Sequence, residues 1–96
     1  MTPDRQLAFA EQYFEANRFL QAATEFERFL FYFPGHEKAP HVQYRAALSY
    51  FNSGRYAAAL DGFERILETA PTDAPRTFRA YFDMADCYEK LKDDQN

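Results

Sequence analysis

Tryptophan is missing from these 96 residues, cysteine occurs once and glycine only three times. The single thiol, Cys87, excludes an intrachain disulfide, and a lone cysteine in a helical pattern reads as a small buried hydrophobe. Gly35, Gly54 and Gly62 are too scattered to write a phosphate-cradling loop. No apolar run approaches the ~18 residues of a membrane-spanning helix, and no charged-then-apolar leader follows Met1. Basic residues are outnumbered, 11 against 15 acidic, for a net charge of -4. That balance argues against a grip on nucleic-acid backbones, which needs clustered cations on one face. What the chain has in quantity is apolar matter: 47% of residues are hydrophobic, and eleven Phe and seven Tyr supply large knobs beside many alanines. A chain of this length and composition makes one small domain with a single core.

One stretch is written twice. Arg18 to Pro34 returns thirty-seven positions later as Arg55 to Pro71, with Phe19/Tyr56, Ala22/Ala59, Phe26/Phe63, Glu27/Glu64, Arg28/Arg65, Leu30/Leu67 and Pro34/Pro71 in register. A fixed period of this size marks a stacked-repeat architecture, in which each unit buries its apolar face against its neighbour.

Between the repeats the chain reads as helices. Thr2-Pro3-Asp4 predicts a capped start for a first helix running to about Ala16, and Asn17-Arg18 predicts its end. The second spans about Phe19 to Phe33, with Ala22, Ala23, Phe26, Phe29, Leu30 and Phe33 at helical spacing, and Pro34-Gly35 stops it. Pro40 opens a third helix that carries Tyr44, Ala47, Leu48, Tyr50 and Phe51 to Asn52-Ser53-Gly54. The fourth covers Tyr56 to about Thr69. Gly62 inside it costs about 1 kcal/mol of helix propensity, so either a neighbouring backbone comes close or nothing has selected against it. Thr72-Asp73 cap a fifth, with Pro75 in its first turn and Phe78, Tyr81, Phe82, Ala85, Tyr88 and Leu91 as its stripe. Breaks of two or three residues force antiparallel hairpins. The expected fold is all-α: stacked antiparallel helical hairpins forming an alpha-alpha superhelix of about five helices. It makes a single domain over residues 1–96, with repeats at 3–36 and 40–73 and a half repeat or capping helix at 74–92. Two and a half units read as a piece of a longer chain.

Phe9, Ala10, Tyr13, Phe19, Ala22, Phe26 and Pro34, matched by Ala46, Ala47, Tyr50, Tyr56, Ala59, Phe63 and Pro71, resemble the tetratricopeptide repeat (TPR) pattern. Gln6 and Gln43 stand where that pattern opens on Trp, and the period is three residues longer than the usual ~34. The long period, the Phe-Glu-Arg cores and the proline-started third helix are similar to tetratricopeptide proteins of the bacterial envelope, such as the outer-membrane barrel-assembly lipoprotein and the periplasmic cell-division coordinator. The resemblance implies a non-catalytic scaffold that binds a protein or peptide partner in a concave groove, as part of envelope assembly. It places the protein in the periplasm or cell envelope; without it the chain reads as cytoplasmic.

Carried onto this chain, the groove pattern falls on Leu7, Glu11 and Phe14, beside Asp4; on Tyr44, Leu48 and Phe51, beside His41; and on Arg79, Phe82 and Asp86, beside Glu89. An aromatic floor with a mostly acidic rim suits an apolar segment flanked by basic residues. The competing reading is that Tyr44, Leu48, Phe51 and Phe82 are core. Chaperone-binding members hold a terminal carboxylate at positions that are Leu7, Glu11, Arg45, Arg79 and Asp83 here, and the two acids argue against that ligand. A second surface, for self-association, is expected at Phe31, Tyr32 and Phe33, which replace Glu68, Thr69 and Ala70 of the next unit, and at Met84 and Cys87 on the wide apolar face of the fifth helix. It would join copies through an uncovered end helix, the alternative being local packing.

No enzyme is expected. His36 and His41 flank Glu37 without the His-Glu-x-x-His spacing of a zinc helix, so no metal or cofactor is assigned. Glu11/Glu15 and Asp83/Asp86 are carboxylate pairs of a kind routine on solvated helix faces. The alternatives are an RNA-binding helical-repeat protein, which the acidic charge disfavours, and an accessory domain of a larger enzyme.

Overall fold

A computed structural model describes residues 1–69 and 74–95. The helices are α1 (Pro3–Glu15), α2 (Phe19–Tyr32), α3 (Ala39–Asn52), α4 (Tyr56–Thr69) and α5 (Ala74–Gln95), and no strand occurs among the described residues. The expected start of the fifth helix at Thr72-Asp73 lies outside the described residues. Its far end runs to Gln95, past the residue 92 that the sequence suggested.

Local signals set the boundaries. Thr2 Oγ1 accepts from the Arg5 amide at 3.2 Å, and Pro3 occupies the first turn where no amide hydrogen is needed. The two hairpin turns have one geometry. Asn17 (φ 60°) and Gly54 (φ 81°) both adopt the left-handed conformation. The Arg18 amide donates to the Tyr13 carbonyl at 2.9 Å, and the Arg55 amide to the Tyr50 carbonyl at 2.8 Å. The Asn17 and Gly54 amides each donate to the Phe14 and Phe51 carbonyls at 3.0 Å. This pair of bonds is the Schellman closure, which satisfies the orphan carbonyls at a helix end and turns the chain back. The Tyr13 and Tyr50 carbonyls therefore stand in the same setting, one period apart.

The helices pack in chain order, α1 on α2, α2 on α3, α3 on α4 and α4 on α5. Extents of 44 × 31 × 18 Å describe a slab about two helices thick. Repeated residues do the repeated work. Ala22, Phe26 and Phe29 of the first unit, and Ala59, Phe63 and Ile66 of the second, are all fully buried. The first set joins Ala10, Val42 and Ala46 between α1, α2 and α3. The second joins Tyr44, Ala47, Ala80 and Cys87 between α3, α4 and α5. Each large ring so buried stabilises by about 1.5–3 kcal/mol, and the alanines opposite let the helices close on it.

Gly62 of α4 has a packing reason. A Cβ built on it would lie 3.0 Å from the Ala47 Cβ and 3.5 Å from its Cα, so α3 and α4 approach where neither carries bulk. Of the two explanations open from the sequence, the close approach is the one observed.

Gln6, at the position where the repeat pattern has Trp, is buried and spends its amide on α2: Nε2 donates to the Glu25 carbonyl at 2.8 Å and to Glu25 Oε1 at 3.1 Å. Glu25 in turn accepts from Arg28 at 3.2 Å. A polar clasp replaces an aromatic wedge at this first interface.

Candidate functional site

Helices α1, α3 and α5 line one side of the slab, and side chains tie them together across it. Arg45 of α3 makes a two-armed pair with Glu11 of α1: Nε donates to Oε1 at 3.0 Å and the terminal guanidinium nitrogen to Oε2. Its Cζ stands 3.8 Å from the Phe14 ring centroid. A fork-shaped cation stacked on a ring and bidentate to a carboxylate is among the firmer polar contacts available at a half-buried site.

On the other flank, Tyr44 Oη donates to Asp83 Oδ2 of α5 at 2.7 Å. Burial first, then the bond to Asp83, pushes the phenol up to about 12, so it remains a donor across the physiological range. Burial also raises the Asp83 carboxyl, against the pull of the Tyr44 hydrogen bond. His41 moves down, through burial and then through Arg45.

Between α3 and α5 lies an open cleft of about 490 Å³, lined by His41, Tyr44, Arg45, Leu48, Pro75, Arg76 and Arg79. Its floor is apolar, made by Leu48, Pro75 and the Tyr44 ring. Its polar lining includes Arg76 and Arg79 beside His41 and the Glu11-paired Arg45, and it opens beside the N-terminal turns of α3 and α5, where the helix dipoles add positive potential. Asp86 and Glu89 of the expected acidic rim stay exposed on α5. Glu11 is turned onto Arg45, and Asp83 accepts the Tyr44 hydroxyl, so the nearest carboxylates are spent within the fold.

The candidate residues separate by environment. Tyr44 is buried and belongs to the second core cluster, with Leu48 and Phe51 half-buried against it. Leu7 and Phe14 are half-buried against the first. Arg79, Phe82 and Asp86 are exposed on α5, Phe82 where the cleft side of that helix meets its outer side. Phe31 and Tyr32 are exposed, their rings perpendicular at 5.1 Å, whereas Phe33 leans on Phe29 at 5.4 Å. Met84 and Cys87 do not face outward: Cys87 is fully buried and Met84 half-buried in the cluster that includes α4. Ala80 and Cys87, both small, let α5 lie close to α4, which turns the aromatic stripe away.

Arg76 is a cleft residue that sequence reasoning passed over, and Arg45 was read only as a carboxylate-holding position, not as the partner of Glu11. The signal for Arg45 is faint: an Arg one position past the Tyr44 groove position, thirty-four residues from Glu11. Arg76 carries no pattern at all.

Two hairpins with identical turns and equivalent buried residues are joined by a direct comparison: a family model described as a tetratricopeptide repeat matches residues 7–74 and again residues 44–96. The chain belongs to the tetratricopeptide repeat family. The two matches begin at Leu7 and Tyr44, one period apart, and the second carries the tetratricopeptide register onto α5. Comparison with curated proteins returns no match. Tetratricopeptide repeats mediate protein–protein interaction and are typically non-catalytic. Among the described residues no cluster of three or more His, Cys, Asp or Glu could hold a metal, and no helix is long and apolar enough to cross a membrane.

Proposed function

We propose that the cleft between α3 and α5 is a docking groove for a segment of another polypeptide, which seats an apolar side chain on Leu48 and Tyr44 and sets a carboxylate beside it against Arg76 and Arg79. The observation that carries this reading is the juxtaposition of an apolar floor with His41, Arg76 and Arg79 in a space of about 490 Å³. The apolar anchor supplies most of the affinity, and the charges supply orientation and association rate. The partner's charge is thus the reverse of the basic flank expected from sequence. Arg45 is held by Glu11, so the arrangement does not need the full set of cations that grips a terminal carboxylate.

Selection of a displayed random-peptide library against the chain tests this. Enriched peptides should pair an aromatic or aliphatic residue with Asp or Glu. Their binding should fall at least tenfold in Leu48→Ala and in Arg79→Glu, measured on variants whose circular dichroism matches that of the wild-type chain. Enrichment of basic peptides, or binding indifferent to both substitutions, overturns the reading. The envelope setting implied by the sequence resemblance is part of the proposal, and cell fractionation of the full-length protein tests it. Recovery with periplasm or membranes supports that setting; recovery in the cytosol refutes it.

A further inference from the structure

Helix α5 has two apolar faces. Ala80, Met84, Cys87 and Leu91 turn inward, with Ala80 and Cys87 fully buried. On the adjoining outer face Phe78, Tyr81, Phe82 and Tyr88 are 65%, 60%, 71% and 55% exposed, with Ala85 exposed among them. Their positions, advancing 100° per residue, fall within a band about a third of the helix circumference wide. The equivalent face of α3 is covered in this molecule: Gln43, Ala47 and Tyr50, thirty-eight residues before Tyr81, Ala85 and Tyr88, lie against α4, where Ala47 meets Gly62 and Gln43 meets Thr69. A helix-accepting face is therefore repeated on α5, with no helix of the described residues seated on it.

The spacing of its residues is symmetric about position 83. Phe78 and Tyr88 stand five residues to either side, and Tyr81 and Ala85 two residues to either side. We infer that this face is a homotypic interface, on which α5 of a second copy packs antiparallel about a two-fold axis at residue 83. Phe78 then meets the second copy's Tyr88, and Tyr81, the large residue, meets its Ala85, the small one. Each exposed ring offers on the order of 100–150 Å². Four rings give about 500 Å² per copy and about 1,000 Å² in all, the lower bound for a specific interface. The dimer is thus a concentration-dependent one. This inference stands on residues of the outer face and does not depend on the groove reading.

Size exchange at positions 81 and 85 tests the register, since neither side chain belongs to the core. Sedimentation of the wild-type chain should show a reversible dimer. Tyr81→Ala and Ala85→Tyr should each weaken it roughly tenfold, the loss expected for a central aromatic contact removed or blocked. An equimolar mixture of the two variants, or the chain carrying both changes, should recover it, because small again faces large at both contacts. Circular dichroism should be unchanged throughout. A wild-type chain that stays monomeric at hundreds of micromolar overturns the inference. Single variants whose loss is not rescued by mixing or by the double exchange overturn it as well, since another helix or another register would then cover the face.

Discussion

Replacing Gly62 by alanine sets two effects of similar size against each other, and the structure decides between them. In an isolated helix the change gains about 1 kcal/mol of propensity. Here the new methyl meets the Ala47 Cβ at 3.0 Å. Carbon atoms prefer about 3.5–4.0 Å, so α3 or α4 must give by a few tenths of an ångström along a well-packed seam. Overpacking of this kind costs about 1–3 kcal/mol. Gly62→Ala is therefore expected to destabilise by about 1 kcal/mol net, lowering the midpoint of thermal unfolding by about 4–8 °C. Ala47→Gly removes the opposing methyl, and in that background Gly62→Ala should stabilise by about 1 kcal/mol. The sign of one substitution thus reverses with the residue across the seam, a coupling of about 2 kcal/mol readable from urea unfolding of the four chains. If Gly62→Ala stabilises the wild-type chain by its full propensity gain, the two helices are not in contact there and the packing argument fails.

Further expectations rest on other contacts. Gly54→Ala should cost about 1 kcal/mol because its φ is 81°, whereas Asn17→Gly, at φ 60° in the equivalent turn, should be neutral or slightly stabilising; both are read from denaturant midpoints. Arg45→Ala should cost about 1–3 kcal/mol through the lost Glu11 pair and Phe14 stack, while Glu11→Gln should leave the guanidinium free and tighten binding of an acidic peptide to the cleft, as fluorescence anisotropy would show. The Tyr44 phenol lies at about 12 when folded against 10.0 ordinarily, so its contribution to stability is complete below pH 10 and lost as pH rises toward 12. Tyr44→Phe should flatten that alkaline decline in chemical-denaturation free energy. Burial holds the Cys87 thiol at about 11, so labelling by a thiol reagent at neutral pH should be slow and should accelerate only with unfolding.

The hairpins were legible because their signals are local. Thr2-Pro3, Asn17, Gly54 and Pro40 each act on the backbone within a few residues, and the thirty-seven-residue offset states the stacking outright. The face on which α5 packs was not legible. Both of its sides are apolar, and a reading weighted by side-chain size puts Phe78, Tyr81 and Phe82 inward, whereas close helix packing favoured Ala80 and Cys87. The charge of the cleft was also out of reach. Counting acids on groove positions treats Glu11 and Asp83 as open, but Arg45 and Tyr44 consume them from neighbouring helices, and such contacts depend on stacking geometry. Gly62 lay between these cases: its cost could be read in advance, its reason only from Ala47 across the seam.

The central claim is that the concave side of the two stacked hairpins receives a partner's segment. An amide-resonance NMR titration with an aromatic, Asp-containing peptide from the library selection tests it most directly. The account predicts saturable shifts centred on His41, Leu48 and Arg76. Shifts confined to Phe31 and Tyr32, or to the outer face of α5, with the cleft resonances unmoved, would contradict it.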